Sequence, residues 1–201
     1  MTQQRSDWPE YSAADRLMAM LAKAFDQSNT PYVVIGGQAV VQHGYSRATL
    51  DVDVSLAIST DGIRPIINLL DGLGFEARFA QDETTLAVSQ AYFAIHRGIG
   101  IEADFTFVDA PYLNVAIQRA DVHTIEGYPV RFLCLEDLLI HKVLASRKQD
   151  LADVEQLLIL NNKIDHDEVE HWLASFEPLV EADLVKNYRD LRRGLERSGD
   201  A

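Results

Sequence analysis

The chain has 201 residues, 47% hydrophobic and 24% charged, with a formal net charge of -13. That length buries a sizeable core, as one domain or a domain with a helical appendage, and the acidic balance argues against nonspecific DNA binding, where cations must meet the phosphate backbone. The single cysteine, Cys134, excludes an internal disulfide and reads as a buried structural thiol. MTQQRSDWPEYS has no apolar leader core, and no run approaches the roughly 18 apolar residues of a membrane span, so a cytoplasmic setting without membrane contact is expected.

Ser12 is placed to cap a helix over Ala13–Gln27, whose Leu17, Met18, Leu21 and Phe25 form a core-facing stripe. Tyr32–Ile35 reads as a short apolar strand broken by Gly36-Gly37, and Gln38–His43 as a brief helix closed by Gly44. Leu50–Leu56 alternates, so Asp51, Asp53 and Ser55 project to one face and Val52, Val54 and Leu56 to the other. Two carboxylates then stand about 6–7 Å apart along the strand. Ile63–Leu73 reads as a helix, followed by a weaker strand signal over Phe75–Phe79.

Ala91–His96 and Ile101–Val108, separated by Arg97-Gly98-Ile99-Gly100, suggest a hairpin. In its second strand Glu102, Asp104 and Thr106 share one face, while Ile101, Ala103, Phe105 and Phe107 share a core face. Val122–Ile125 and Tyr128–Leu133, joined by Glu126-Gly127, suggest another hairpin. From Leu135 the pattern is helical, through Asp165–Phe176 and Glu181–Glu196. The class is therefore α+β, with an α/β part over residues 1–134 and a helical part over 135–201. Only the last few residues are expected to be disordered.

Mg²⁺ takes oxygen ligands and is usually held by one or two carboxylates together with substrate phosphates, which suits Asp51 and Asp53. A glycine pair lets backbone approach a triphosphate closely, and the N–H groups opening the next helix attract anions. Each piece alone has an ordinary explanation: Asp-x-Asp on an amphipathic strand is commonly a solvated face, and Gly-Gly a tight turn. Their order, strand, Gly-Gly, short helix, strand with paired aspartates, is more restrictive.

Gly36-Gly37, thirteen residues, then Asp51-Val52-Asp53 resembles the signature of the polymerase-beta-like nucleotidyltransferases. Within them the chain is similar to small bacterial proteins that include the AbiEii-type members of toxin–antitoxin and phage-defence systems. The resemblance implies a mixed sheet flanked by helices and transfer of a nucleotide from a nucleoside triphosphate such as ATP, with Mg²⁺ or Mn²⁺, to a hydroxyl. The acceptor it allows is a tRNA end, a partner protein or a small molecule. Asp51, Asp53 and Asp104 are then the catalytic, metal-holding acids, with Asp104 preferred to Glu102 as the third. Gly36, Gly37, Gln38, Arg47 and Lys142 are the nucleotide-binding candidates. Gln38 departs from the family's usual Ser or Thr and removes a small hydroxyl from the expected phosphate cradle.

Val130–Leu158 resembles the family's helical segment after the sheet. There Lys142 reaches phosphates in the functional reading, or lays its stem along the helix with its head at Glu136 or in solvent. Arg147 and Lys148 can orient phosphate or answer a helix dipole. Asp150 reads as an N-cap, with Asp153 at the third helical position. Arg47 contacts a phosphate or holds Asp51. His43 is a helix-end dipole partner rather than a base, and the scattered remaining histidines have no zinc-ligand spacing. The rival to an enzyme is a noncatalytic, antitoxin-like interaction module; a weaker one is a metal-dependent phosphohydrolase.

Overall fold

A computed structural model describes residues 11–199. The leader-free reading of the amino terminus falls mostly outside them, and the disorder expected of the last residues reaches beyond them. Ser12 caps helix α1, Ala13–Gln27, through a capping box in which it accepts from the Asp15 N–H at 3.1 Å and the Asp15 carboxylate accepts from the Ser12 N–H at 2.8 Å. Strand β1, Tyr32–Ile35, leads directly into helix α2, Gly36–Gln42, and then strand β2, Asp51–Leu56. Helix α2 starts two residues earlier than expected because Gly36, at φ +64°, makes the corner and enters the helix at once.

Helix α3, Ile63–Gly72, and strand β3, Phe75–Ala77, precede helix α4, Glu83–Ser89. Hairpin strands β4, Ala91–His96, and β5, Glu102–Phe107, are followed by helix α5, Pro111–Gln118. Strands β6, Asp121–Ile125, and β7, Tyr128–Phe132, form the second hairpin. Both hairpins follow the expected pairs. Helices α4 and α5 are additions to the elements expected from sequence; each opens on a start signal, Asp82 accepting from the Thr85 N–H at 2.7 Å and Pro111 in the first turn.

The seven strands form one mixed sheet in the order β3-β4-β5-β2-β1-β7-β6. Its centre is a parallel pair, β2 beside β5, in the register Asp51 to Glu102, Asp53 to Asp104 and Ser55 to Thr106. Residues opposite one another in register share a face, so the two polar faces read from sequence coincide. On the other face Val52, Val54, Leu56, Ala103, Phe105 and Phe107 are all buried, and Phe25 of α1 meets Phe105 edge-on at 6.4 Å between ring centroids. The fold is thus a mixed sheet flanked by helices, as the resemblance implies and in keeping with the α+β class that the residue pattern predicts.

The helical part comprises α6, Leu135–Ala145; α7, Lys148–Leu160; α8, His166–Val180; and α9, Leu184–Gly199. Ser146, at φ +49°, ends α6 and lets the chain reverse into α7. Helix α7 begins at Lys148 with Arg147 as N-cap, so Asp150 is not the cap and occupies the first turn instead. The reason is that Asp150 and Asp153 are turned inward and buried on charge partners.

Fully buried Asp137 of α6 joins α5 to this bundle, accepting from Tyr112 Oη at 2.8 Å and from Arg119 Nε at 2.7 Å. Cys134 is half-buried rather than buried; its thiol donates to Asp137 at 3.2 Å and is pushed up to about 12 by desolvation and the adjacent carboxylate. Among the described residues no helix is long and apolar enough to cross a membrane.

Candidate active site

Glycine at position 36 decides the local geometry. A Cβ built there would lie 1.8 Å from Asp53 Oδ2, so the carboxylate of β2 occupies the space that any other residue's side chain would need. Gly37 is similarly crowded, its virtual Cβ 2.2 Å from Thr49 Oγ1. Thr49 donates to Asp51 Oδ1 at 3.0 Å, and the Gln38 amide donates to the Asp51 backbone carbonyl at 3.1 Å. Gln38 therefore pins the start of β2 to α2.

Burial pushes the Asp53 carboxyl up to about 6, with the like charges of Asp51 and Asp104 adding to it; Lys142 and the Gly37 N–H act the other way without compensating. Asp104 is raised as well, by desolvation first, with Arg78 opposing. Arg78 donates through Nη2 to Asp104 Oδ1 at 2.5 Å and through Nη1 to Glu102. Nothing in the sequence flagged Arg78, because the contacts span 24 to 26 residues and depend on β3 docking beside β4.

Lys142 is 5% exposed and its ammonium sits 2.9 Å from Asp150 Oδ1 and 2.8 Å from Asp153 Oδ2. It does not meet Glu136, which accepts instead from the Asp165 N–H. Arg47 also does not hold Asp51: its Nη2 donates to Asp153 Oδ2 at 3.1 Å, tying the loop before β2 to α7. Asp150 is held below the usual carboxylate range: its burial raises it, but hydrogen bonds and charge from Arg147 and Lys142 prevail. Arg147, largely exposed, also feels the charges of Asp53 and Asp51. His43 ends α2 with its ring Nε2 2.7 Å from the Leu133 carbonyl.

Asp51, Asp53, Asp104, Gly36, Gly37 and Gln38 thus gather at one end of β2 and β5, with Lys142 close enough to act on Asp53. An open groove of about 750 Å³ borders Asp51, lined by Ser12, Val41, Thr49, Leu50 and Ile101 among others, with Leu50 85% exposed. Gly36→Ala is expected to destabilise the protein by at least about 1 kcal/mol from its left-handed backbone alone, and to displace Asp53 as well. Urea denaturation checks this; an unchanged midpoint would mean the corner can relax.

Sequence comparison matches residues 11–198 to the family described as "Nucleotidyltransferase of unknown function (DUF6036)". No curated protein matches. Among solved structures, the chain is similar to an antigenic nucleotidyltransferase-like protein from Paracoccidioides brasiliensis, at 22% identity and TM-score 0.53 over 87% of this chain and 91% of that one. It is also similar to ANT(2")-Ia, solved in complex with adenylyl-2"-tobramycin, at 16% identity and TM-score 0.55 over 83% and 98%. A third is the lincosamide antibiotic adenylyltransferase LnuA, lincomycin-bound, at 13% identity and TM-score 0.52 over 76% and 100%. At these identities the structures speak to the fold, whereas the family match spans nearly the whole chain. The chain belongs to that nucleotidyltransferase family.

Proposed function

We propose that the protein is a Mg²⁺-dependent nucleotidyltransferase that moves a nucleoside monophosphate from a nucleoside triphosphate to an acceptor hydroxyl. The observation that carries this is the seat of Asp53: a carboxylate pressed into the space left by Gly36, desolvated, and facing two further aspartates. Such unneutralised charge fits a divalent cation, and the donors, hard carboxylate oxygens beside a Cβ-free corner, suit Mg²⁺ together with substrate phosphates. Asp51 and Asp53 would hold the ion, which supplies Lewis-acid stabilisation of phosphate charge.

In this reading residues 1–134 carry the acids and residues 135–201 supply cationic support. Asp104 accepts the proton of the acceptor hydroxyl; the new O–Pα bond forms as the Pα–O–Pβ bond breaks and pyrophosphate leaves. Gly36 and Gly37 admit the triphosphate, Lys142 sets the charge at Asp53, and Arg147 offers a guanidinium to the leaving phosphates. Gln38 and Arg47 shape the cradle through Asp51 and Asp153.

Net charge weighs against a tRNA acceptor, leaving a small molecule or a protein hydroxyl; the antibiotic adenylyltransferases of this fold support the former. A toxin–antitoxin or defence role of the AbiEii kind would require a protein partner. A noncatalytic partner-binding module is the second reading, favoured by the hold of Arg78 on Asp104. The test supplies purified protein with Mg²⁺ or Mn²⁺, each α-labelled nucleoside triphosphate and cell extract, beside an Asp51→Asn, Asp53→Asn control. Label moving onto a small molecule, protein or RNA with wild type alone is expected. Failure to bind any metal-nucleotide would transfer the assignment to the binding module.

A further inference from the structure

Arg78 lies outside the acid set and yet controls one member of it. Its backbone N–H donates to the Phe93 carbonyl at 3.0 Å. Three residues on, the Gln81 side chain clasps the same strand residue both ways, donating to the Phe93 carbonyl at 2.9 Å and accepting from its N–H at 3.0 Å. Phe79 stacks on Phe93 with 5.6 Å between centroids. The backbone carrying Arg78 is therefore tied to β4, and the freedom left to the arginine lies in its side chain.

That side chain crosses 5.4 Å over the Phe93 ring and forks onto Glu102 and Asp104. Phe93, Asp104 and Asp53 are consecutive partners in register, one line across β4, β5 and β2. Arg78 thus grips Asp104 from the β4 side, opposite the side on which Asp53 stands. Among the described residues no three His, Cys, Asp or Glu side chains are gathered to hold one metal ion, although Asp51 and Asp104 are near enough to Asp53 to add to the burial that raises its carboxyl. The acids are neighbours, but the third is diverted. Arg78 Nε is itself buried without a hydrogen-bond partner, so the guanidinium is not fully satisfied in this position.

We propose that Arg78 is a positioning residue that holds Asp104 away from the Asp51–Asp53 pair in the free protein, so that the third carboxylate joins only when the guanidinium releases it. This rests on the nucleotidyltransferase reading of the same site. A charge-assisted fork to two carboxylates is geometrically specific and competes directly with a cation for the same oxygen. A metal-nucleotide on Asp51 and Asp53 adds positive charge beside Asp104 and shifts that competition.

The test measures Mn²⁺ binding to the full chain by electron paramagnetic resonance, without nucleotide, for wild type, Arg78→Gln, Asp104→Asn and the double variant. Arg78→Gln is expected to bind Mn²⁺ on the order of ten-fold more tightly, the scale typical of residues that orient metal ligands. No gain is expected in the Asp104→Asn background. Arg78→Lys, which keeps the charge but cannot span both carboxylates, is expected to show part of the gain and guards against a folding defect. Unchanged or weaker Mn²⁺ affinity in both folded Arg78 variants would overturn the proposal. So would a gain persisting without Asp104, which would reduce the effect to long-range charge. Asp51→Asn, Asp53→Asn separates the two levels: if it leaves Mn²⁺ affinity intact, or if wild type takes up no Mn²⁺ even with ATP, the site reading itself fails and Arg78 falls with it.

Discussion

Asp53→Asn is expected to melt at a higher temperature than the wild-type protein at neutral pH without metal. The folded carboxyl is raised from 3.8 to about 6, chiefly by burial and then by Asp51 and Asp104. A carboxyl raised on folding binds more protons folded than unfolded, so it costs stability above its folded pKa, and the penalty fades as pH falls through about 6 towards 3.8. Moving a carboxyl from 3.8 to about 6 costs at most about 3 kcal/mol, and partial solvation brings the expected gain to about 2 kcal/mol. For a chain of this size that is a rise of about 4–8 °C. Thermal melts of both proteins from neutral pH down to about pH 4 should converge at the acid end. Adding Mg²⁺ should raise the wild-type transition and leave that of the variant nearly unmoved. A variant no more stable than wild type would mean that Asp53 is already neutralised, and the charge argument for a metal there would fail.

Lys142→Met is expected to be among the most damaging substitutions outside the acid set. Asp150 and Asp153 are at most 1% exposed, and both lie within 3 Å of the ammonium. Removing the cation leaves each buried carboxylate with an arginine as its remaining cation, Arg147 for Asp150 and Arg47 for Asp153, and breaking such a pair costs up to about 3–5 kcal/mol, whereas replacing both partners is often tolerated. Urea denaturation should therefore show a large fall for Lys142→Met and partial recovery when Asp150→Asn is added. Asp153 stays charged without the ammonium in either case, with Arg47 as its remaining cation, which is why recovery is partial. The same substitution removes a charge that holds Asp53 down, so the Asp53 carboxyl should climb further. A loss below about 1 kcal/mol would show that water reaches the pair and that it behaves as an exposed one.

These two expectations differ in how much of their basis is visible in the amino-acid order. Alternation along Leu50–Leu56 and Ile101–Val108 is a local property, and it placed Asp51, Asp53 and Ser55 on one face and Glu102, Asp104 and Thr106 on one face without reference to the rest of the chain. The Gly-Gly corner, the α1 cap and both hairpins are equally local, and the structure has each of them. Partners chosen across the fold were not legible. Helical proximity offers the Lys142 head Glu136 or solvent, if not a phosphate, but the reversal at Ser146 brings α7 back alongside and presents Asp150 and Asp153 instead. Sequence proximity offers Arg47 a phosphate or Asp51, yet Asp153, 106 residues away, takes it.

The sequence by itself determined the strands, their two-faced character, the glycine corner and the order of motifs, since these follow from backbone stereochemistry and side-chain periodicity over a few residues. Only the tertiary structure decided that β2 and β5 lie parallel with Asp53 opposite Asp104, that Gly36 yields its side-chain space to Asp53, and that Arg78 takes hold of the third acid. Strand register and ion-pair choice depend on which buried charges end up close together, and that is settled by packing the whole chain around one core.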